Sequence, residues 1–281
     1  MPDETVTIKD AFPALRERAD SGDQGAACWL GVELLRGRDV LDDQAAESRR
    51  SDGTWQAARS FPRKPQTLEG LRRTERRLEL AQRCQGVSAD MTSGALDWLF
   101  TSAKAGSAGA LALMTVDGTL SATQYPDGAQ LRRVLDAQEE MLVMGLRVGS
   151  TRALQELTLN AVSGWNWGRI RSPNVPKMAR SDRAALALFV EMLETRIRTH
   201  HVDLLPVERP DLKMPMIDSS DVPPAVRAHV TRLVDEVFAE GWANRDEVPL
   251  AGFDDLETDK ACARFIAPRA SESSVTAWLK P

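Results

Sequence analysis

The chain has 281 residues, 42% of them hydrophobic and 27% charged, with a formal net charge of −5. That length buries a sizeable core in one large domain or two small ones, and the apolar share excludes a disordered chain. Three cysteines are too few for a small disulfide scaffold, and no apolar stretch approaches the roughly 20 residues a membrane-spanning helix needs.

The first thirty residues carry Asp3, Glu4, Lys9, Arg16, Glu17, Arg18 and Asp20, which leaves no room for the apolar core of a secretory signal. The cytoplasm is therefore the expected location, and the periplasm becomes possible if the chain is a trimmed product. Leu15, Ala19, Gly22, Asp23, Ala26 and Leu30 then form a helix–turn–helix pattern. The first two lie one turn apart on the inner stripe of an incoming helix. Gly22 can take the left-handed conformation that ends that helix, and Asp23 is a preferred N-cap for the next. Ala26 is small enough for the two helices to approach closely.

Residues 36–65 hold Gly37, Asp42, Asp43, Asp52, Gly53, Pro62 and Pro65, and read as a long loop insertion. Thr67 can cap a helix that runs to about Cys84. The pattern of the first hairpin returns at identical offsets as Leu99, Ala103, Gly106, Ser107, Ala110 and Met114. A helical stripe follows over residues 126–148, with Leu131, Val134, Leu135, Met141, Leu142 and Leu146. It leads into the third copy, Leu142, Leu146, Gly149, Ser150, Ala153 and Leu157.

Residues 164–180 read as a loop, with Trp165, Asn166, Trp167 and Gly168 in it. Helices are expected over 181–199 (Leu186, Phe189, Met192, Leu193, Ile197) and over 224–241 (Val226, Val230, Leu233, Val234, Val237, Phe238). Pro223–Pro224 suits the start of the second and Gly241 its end. After Trp242 the chain is acidic and irregular, and Ser271–Ser274 suggests a frayed tail. No segment alternates strictly over six residues, so almost no sheet is expected.

The segments Ala19-Asp-Ser-Gly-Asp-Gln-Gly-Ala-Ala-Cys-Trp-Leu-Gly31 and Ala95-Leu-Asp-Trp-Leu-Phe-Thr-Ser-Ala-Lys-Ala-Gly-Ser-Ala-Gly-Ala110 resemble Sel-one-like repeats, relatives of the tetratricopeptide repeat. The resemblance covers about a third of the chain. It implies an all-α fold: a short stack of antiparallel helix pairs, an α/α solenoid of degenerate repeats with long loop insertions. Residues 1–200 would form the repeat domain. Residues 201–281 would form an acidic C-terminal part, with one capping helix over 224–241 and an irregular tail. The resemblance also implies a non-enzymatic module that binds another protein.

The remaining chemistry is sparse. Residues 49–83 hold ten basic side chains against four acidic ones, which suits an anionic ligand or nucleic acid, or else a solvated helix face. No aromatic residue interleaves those arginines after Phe61, so bases have no stacking platform. His200 and His201 are adjacent and point about 100° apart on a helix, which disfavours a shared metal ion. His200, His201 and His229 are read as structural, and no cofactor or metal is expected. If the chain is exported, Cys28 and Cys84 could bridge the insertion to the first hairpin.

No dinucleotide fingerprint, phosphate loop or nucleophile elbow occurs. An enzyme on an unrecognised helical fold would have to use carboxylates such as Glu139, Glu140 and Glu156. Tryptophan and arginine are common interface anchors. The expected partner contacts are therefore Trp165, Trp167 and Arg169, with Arg132 and Arg133.

Overall fold

A computed structural model describes residues 6–51, 75, 78–114, 128–163, 179–201, 222–244, 258–269 and 273–281. The described residues are mostly helical. Their β-structure is an isolated bridge between Ser107 and Phe265. An all-α fold therefore holds.

The three repeated sequence patterns become three helical hairpins. The first joins α1 (Ile8–Asp20) to α2 (Gln24–Ser51). After a short helix α3 (Ala89–Thr92), the second joins α4 (Ala95–Lys104) to α5 (Ala108–Met114). Helix α6 (Gly128–Asp136) runs through Ala137 into α7 (Gln138–Arg147), and the third hairpin joins α7 to α8 (Thr151–Ser163).

Each turn glycine has positive φ: 98° at Gly22, 91° at Gly106 and 84° at Gly149. Each donates its N–H to the carbonyl three residues back, and the next residue donates to the carbonyl five back. These two bonds satisfy the orphan carbonyls of the incoming helix in a Schellman turn. In the first and third hairpins the following residue then caps the outgoing helix through its side chain, whereas the buried Ser107 hydroxyl of the second makes no such bond. Asp23 Oδ1 accepts from the Ala26 N–H at 3.0 Å, and Ser150 Oγ from the Ala153 N–H at 3.2 Å. Ala26, Ala110 and Ala153 are all completely buried, as close crossing requires.

Neighbouring hairpins meet at small residues. A Cβ on Gly31 would lie 2.8 Å from the Leu99 backbone nitrogen, so α2 and α4 touch backbone to backbone. The Ser102 hydroxyl donates to the Gln24 carbonyl at 2.8 Å further along, which makes the two helices antiparallel. Helix α4 lies beside α6–α7, joined by Asp97–Arg133 at 3.5 Å and Lys104–Glu140. Both pairs span 36 residues, so these two first helices run parallel.

Helix α7 is buried on every side and divides the core in two. Met141 and Met144 face a cluster built on α1, α2, α4 and α5. Leu142, Val143 and Leu146 face a second cluster with α8, α9 (Arg180–His200) and α10 (Pro224–Val237). Helix α10 continues through a π turn, Phe238–Trp242, which lays Gly241 on the end of α7. A Cβ on Gly241 would lie 2.6 Å from the Gly149 nitrogen. Trp242 is fully buried there and donates from Nε1 to the Leu146 carbonyl at 2.8 Å.

Two expectations need correction. Residues 36–51 are not loop, because α2 continues to Ser51. No proline falls between α1 and Pro62, and Gly37 lies inside α2 with its open side toward Cys84 and Val87. Residues 52–65 lie outside the described residues.

The described residues of the tail, 258–269 and 273–281, are ordered rather than frayed. They form α11 (Thr258–Ala263), an extended run over 264–269 and α12 (Val275–Trp278). Ser274 caps α12 through its hydroxyl, which accepts from the Ala277 N–H at 3.1 Å. Trp278 and Leu279 are buried, with Trp278 edge-on to Phe189 at 4.8 Å between centroids. Ser271 lies outside the described residues.

Candidate functional site

The tail acts as a strap across the hairpins, and most of the buried polar chemistry lies under it. Helix α11 packs on α2 and α5. Glu33 is fully buried in the apolar run Leu30–Leu35 of α2. Its Oε1 accepts from Arg36 Nη1 at 2.8 Å and from the Thr258 hydroxyl at 2.6 Å, while Arg36 also donates to Thr258 Oγ1 at 2.8 Å. Arg83 stands 3.4 Å from Glu33 Oε2 and lies over the Trp29 ring. Trp29 in turn donates from Nε1 to Asp259 at 2.9 Å. A buried carboxylate is tolerable only with such partners, and here Thr258 comes from the strap, Arg36 from its own helix and Arg83 from the segment before α3.

The strap continues across the second and third hairpins. Ala108 donates its N–H to the Arg264 carbonyl at 2.9 Å, and Ile266 to the Gly106 carbonyl at 3.0 Å. Arg264 donates to the Val148 and Glu240 carbonyls at 3.3 and 2.8 Å. Arg147 pairs with Glu240 at 2.6 Å and donates to the Ala267 carbonyl at 3.0 Å. These guanidinium groups serve the C-terminal end of α7, where cations and donors are favoured.

Cys28 is disulfide-bonded to Cys262 on α11, with Cα atoms 5.5 Å apart, and Cys84 is a free, buried thiol. This corrects the Cys28–Cys84 pairing. Cys84 packs against Gly37, nine residues beyond Cys28 on the same helix, or about 14 Å of rise. That is twice the Cα separation a disulfide spans. Burial, then the neighbouring Glu33 carboxylate, pushes the Cys84 thiol up to about 11, against Arg83 and Arg36. It is held as an inert thiol.

The groups weighed for catalysis are spread among structural partners. Glu139 Oε2 accepts from the Val275 N–H at 3.0 Å, where it caps α12, and Glu140 pairs with Lys104. Glu156 is buried on α8. His201 Nε2 meets the Trp242 carbonyl at 2.7 Å, and His229 Nε2 meets the Trp278 carbonyl at 3.0 Å. A carbonyl only accepts, so both rings carry the proton on Nε2. His200 Nδ1 lies 2.9 Å from the Arg196 carbonyl at the end of α9. Among the described residues no three of His, Cys, Asp and Glu group to hold a metal ion.

Of the expected partner contacts, Arg132 and Arg133 are exposed on α6, and Arg133 faces Asp97 of α4. Trp165, Trp167 and Arg169 lie outside the described residues, as does most of the basic segment 49–83. Arg133, next to the exposed Arg132, lies on the side where Asp97 and Lys104 of α4 meet α6–α7. Helix α1 joins that side through Phe12, edge-on to Trp98 at 6.0 Å. The strap packs instead on the second helices, α2 and α5.

Glu33, Arg36, Thr258 and Cys262 escape a reading based on motifs. One local signal exists: Glu33 and Arg36 interrupt an otherwise apolar helical run at i,i+3. Nothing local points to Thr258 or Cys262, more than 220 residues away. No described helix is long and apolar enough to cross a membrane. The chain matches no protein-family model, no curated protein and no solved structure.

Proposed function

We propose that this chain is a helical-repeat scaffold that binds a partner protein on the face formed by α1, α4 and α6–α7. The observation that carries this reading is the recurrence of one backbone turn, with the same two N–H bonds and a positive-φ glycine, at Gly22, Gly106 and Gly149. Together with the parallel, 36-residue register of α4 and α6–α7, it supports a short α/α stack of the Sel-like kind. Such a stack presents side chains of successive first helices as one continuous surface. The face carries both signs of charge, through Asp97, Lys104, Arg132 and Arg133, which suits a polar protein surface better than a polyanion. The catalytic alternative lacks support from geometry, since Glu139 and Glu140 serve separate structural bonds.

The test is affinity capture from the native cell with quantitative mass spectrometry. Wild-type protein is compared with Arg132→Glu and with Trp167→Ala. A partner lost with Arg132→Glu supports the face, and one lost with Trp167→Ala extends it to the 164–180 loop. Identical partner sets from all three proteins would refute it.

A further inference from the structure

The strap divides sharply into two parts with different anchors. Residues 264–269 and 273–281 are held by backbone bonds at Gly106 and Ala108, by Arg147 and Arg264, by the Glu139 cap on Val275 and by Trp278 in the core. None of these needs α11. Helix α11 is only six residues long, too short to persist by its own hydrogen bonds. Its described anchors are Thr258 on Glu33 and Arg36, Asp259 on Trp29, the close fit of Ala261 and Cys262 against Gly109, and the disulfide.

We propose that Cys28–Cys262 is a redox latch, and that reducing it releases α11 alone and opens the slot between α2 and α5. The slot is lined by Trp29, Glu33, Arg36 and Gly109. Glu33 keeps Arg36 and Arg83 when Thr258 leaves, so opening does not strand a buried charge. The hinge falls between Ala263 and Arg264, where the anchors change from side chains on α2 to backbone on the second hairpin. The third cysteine does not intercept the exchange: Cys84 lies too far along α2 to reach Cys28.

The reaction is thiol–disulfide exchange with a dithiol. One thiolate of the dithiol attacks a sulfur of the pair, the Cys28–Cys262 bond breaks and a mixed disulfide forms. The second thiol then displaces it. The dithiol leaves as its disulfide, and Cys28 and Cys262 each take up a proton. Both cysteines are fully buried, so attack waits on local opening of α11.

Hydrogen exchange read by mass spectrometry on the full chain tests this, with dithiothreitol as the reductant and thiol counting to confirm reduction. Reduction is expected to speed exchange in peptides covering 258–263 at least tenfold. Ile266 and Leu279 are expected to keep their protection, and reoxidation to restore the slow state. A Cys28→Ala/Cys262→Ala variant should show the open pattern without reductant. Unchanged protection over 258–263 after confirmed reduction would make the bond a passive staple and overturn the latch. So would loss of protection in α9 and α10 together with α11, or a bond that dithiothreitol reduces only in denaturant.

Discussion

Replacing Gly106 by alanine isolates the contribution of the strap from that of the turn, because Gly22 supplies a matched control. Both glycines have strongly positive φ, 91° and 98°, and alanine in that region costs roughly 1–2 kcal/mol. A Cβ at Gly22 meets nothing within 4 Å, so Gly22→Ala should cost only that. At Gly106 the Cβ would overlap the carbonyl oxygen of Ile266, which is backbone and cannot swing away. The strap must retreat and lose the Ala108–Arg264 and Ile266–Gly106 bonds. Each is worth about 1 kcal/mol net, so Gly106→Ala should cost about 3–4 kcal/mol in total. Urea unfolding of the oxidised chain, followed by tryptophan fluorescence, reads the difference, since Trp29 and Trp242 are both buried. Losses equal to within about 0.5 kcal/mol, with unchanged slopes, would refute the strap's role at this turn.

Gly241→Ala should destabilise by about 2–3 kcal/mol by the same assay, since its Cβ would press on the Arg147 carbonyl and the Gly149 nitrogen at the end of α7. The Ala26 N–H, and then Arg18, hold the Asp23 carboxyl below its ordinary 3.8. A lowered folded value gives stability that is full above 3.8 and is lost as pH falls through the folded value. Asp23→Asn should therefore be less stable than wild type at neutral pH by under about 1 kcal/mol, as befits a solvent-screened pair, and the gap should close in acid, as midpoints measured from pH 7 to 2 will show. Alkylation without reductant should label no cysteine in the folded chain and Cys84 alone in denaturant. Three labelled thiols in the unreduced, denatured chain would contradict the disulfide.

What could be read in the sequence is what short-range physics decides. A turn glycine, its capping neighbour and the apolar positions on either side lie within sixteen residues, and all three hairpins formed where that pattern occurs. The helix that starts at Pro224 was equally legible, because its stripe and its first-turn proline are local, but Gly241 does not end it: it lies inside the π turn that runs to Trp242. The extension of α2 to Ser51 was not. Gly37 and the charged residues after it mimic a loop, and a single glycine inside a helix cannot be told from a loop glycine by local sequence. The tail was illegible for a different reason. Its composition is polar, and its anchors are single residues, Thr258, Cys262, Arg264 and Trp278, each matched to a site far away in sequence. The candidate partner face was visible only in Arg132 and Arg133. That Arg133 lies beside Asp97 follows from the register of two helices, not from any motif.

The strap also changes how this fold should respond to damage. In a stack of hairpins that touch only their neighbours, stability is a sum of local terms, and trimming one end leaves the other intact. Here the last residues reach the first hairpin. Removing the chain from residue 258 onward would take Thr258 from Glu33, Asp259 from Trp29 and Cys262 from Cys28. It would also strip Gly106 and Ala108 of their backbone partners in the second hairpin, and Glu139 of its bond to Val275 in the third. The three hairpins therefore lose stability together, although the deleted residues adjoin none of them in sequence. Cooperativity across the described fold rests on that return of the chain as much as on the doubly buried α7, because α7 couples two neighbouring clusters while the strap couples the first hairpin to the last helices.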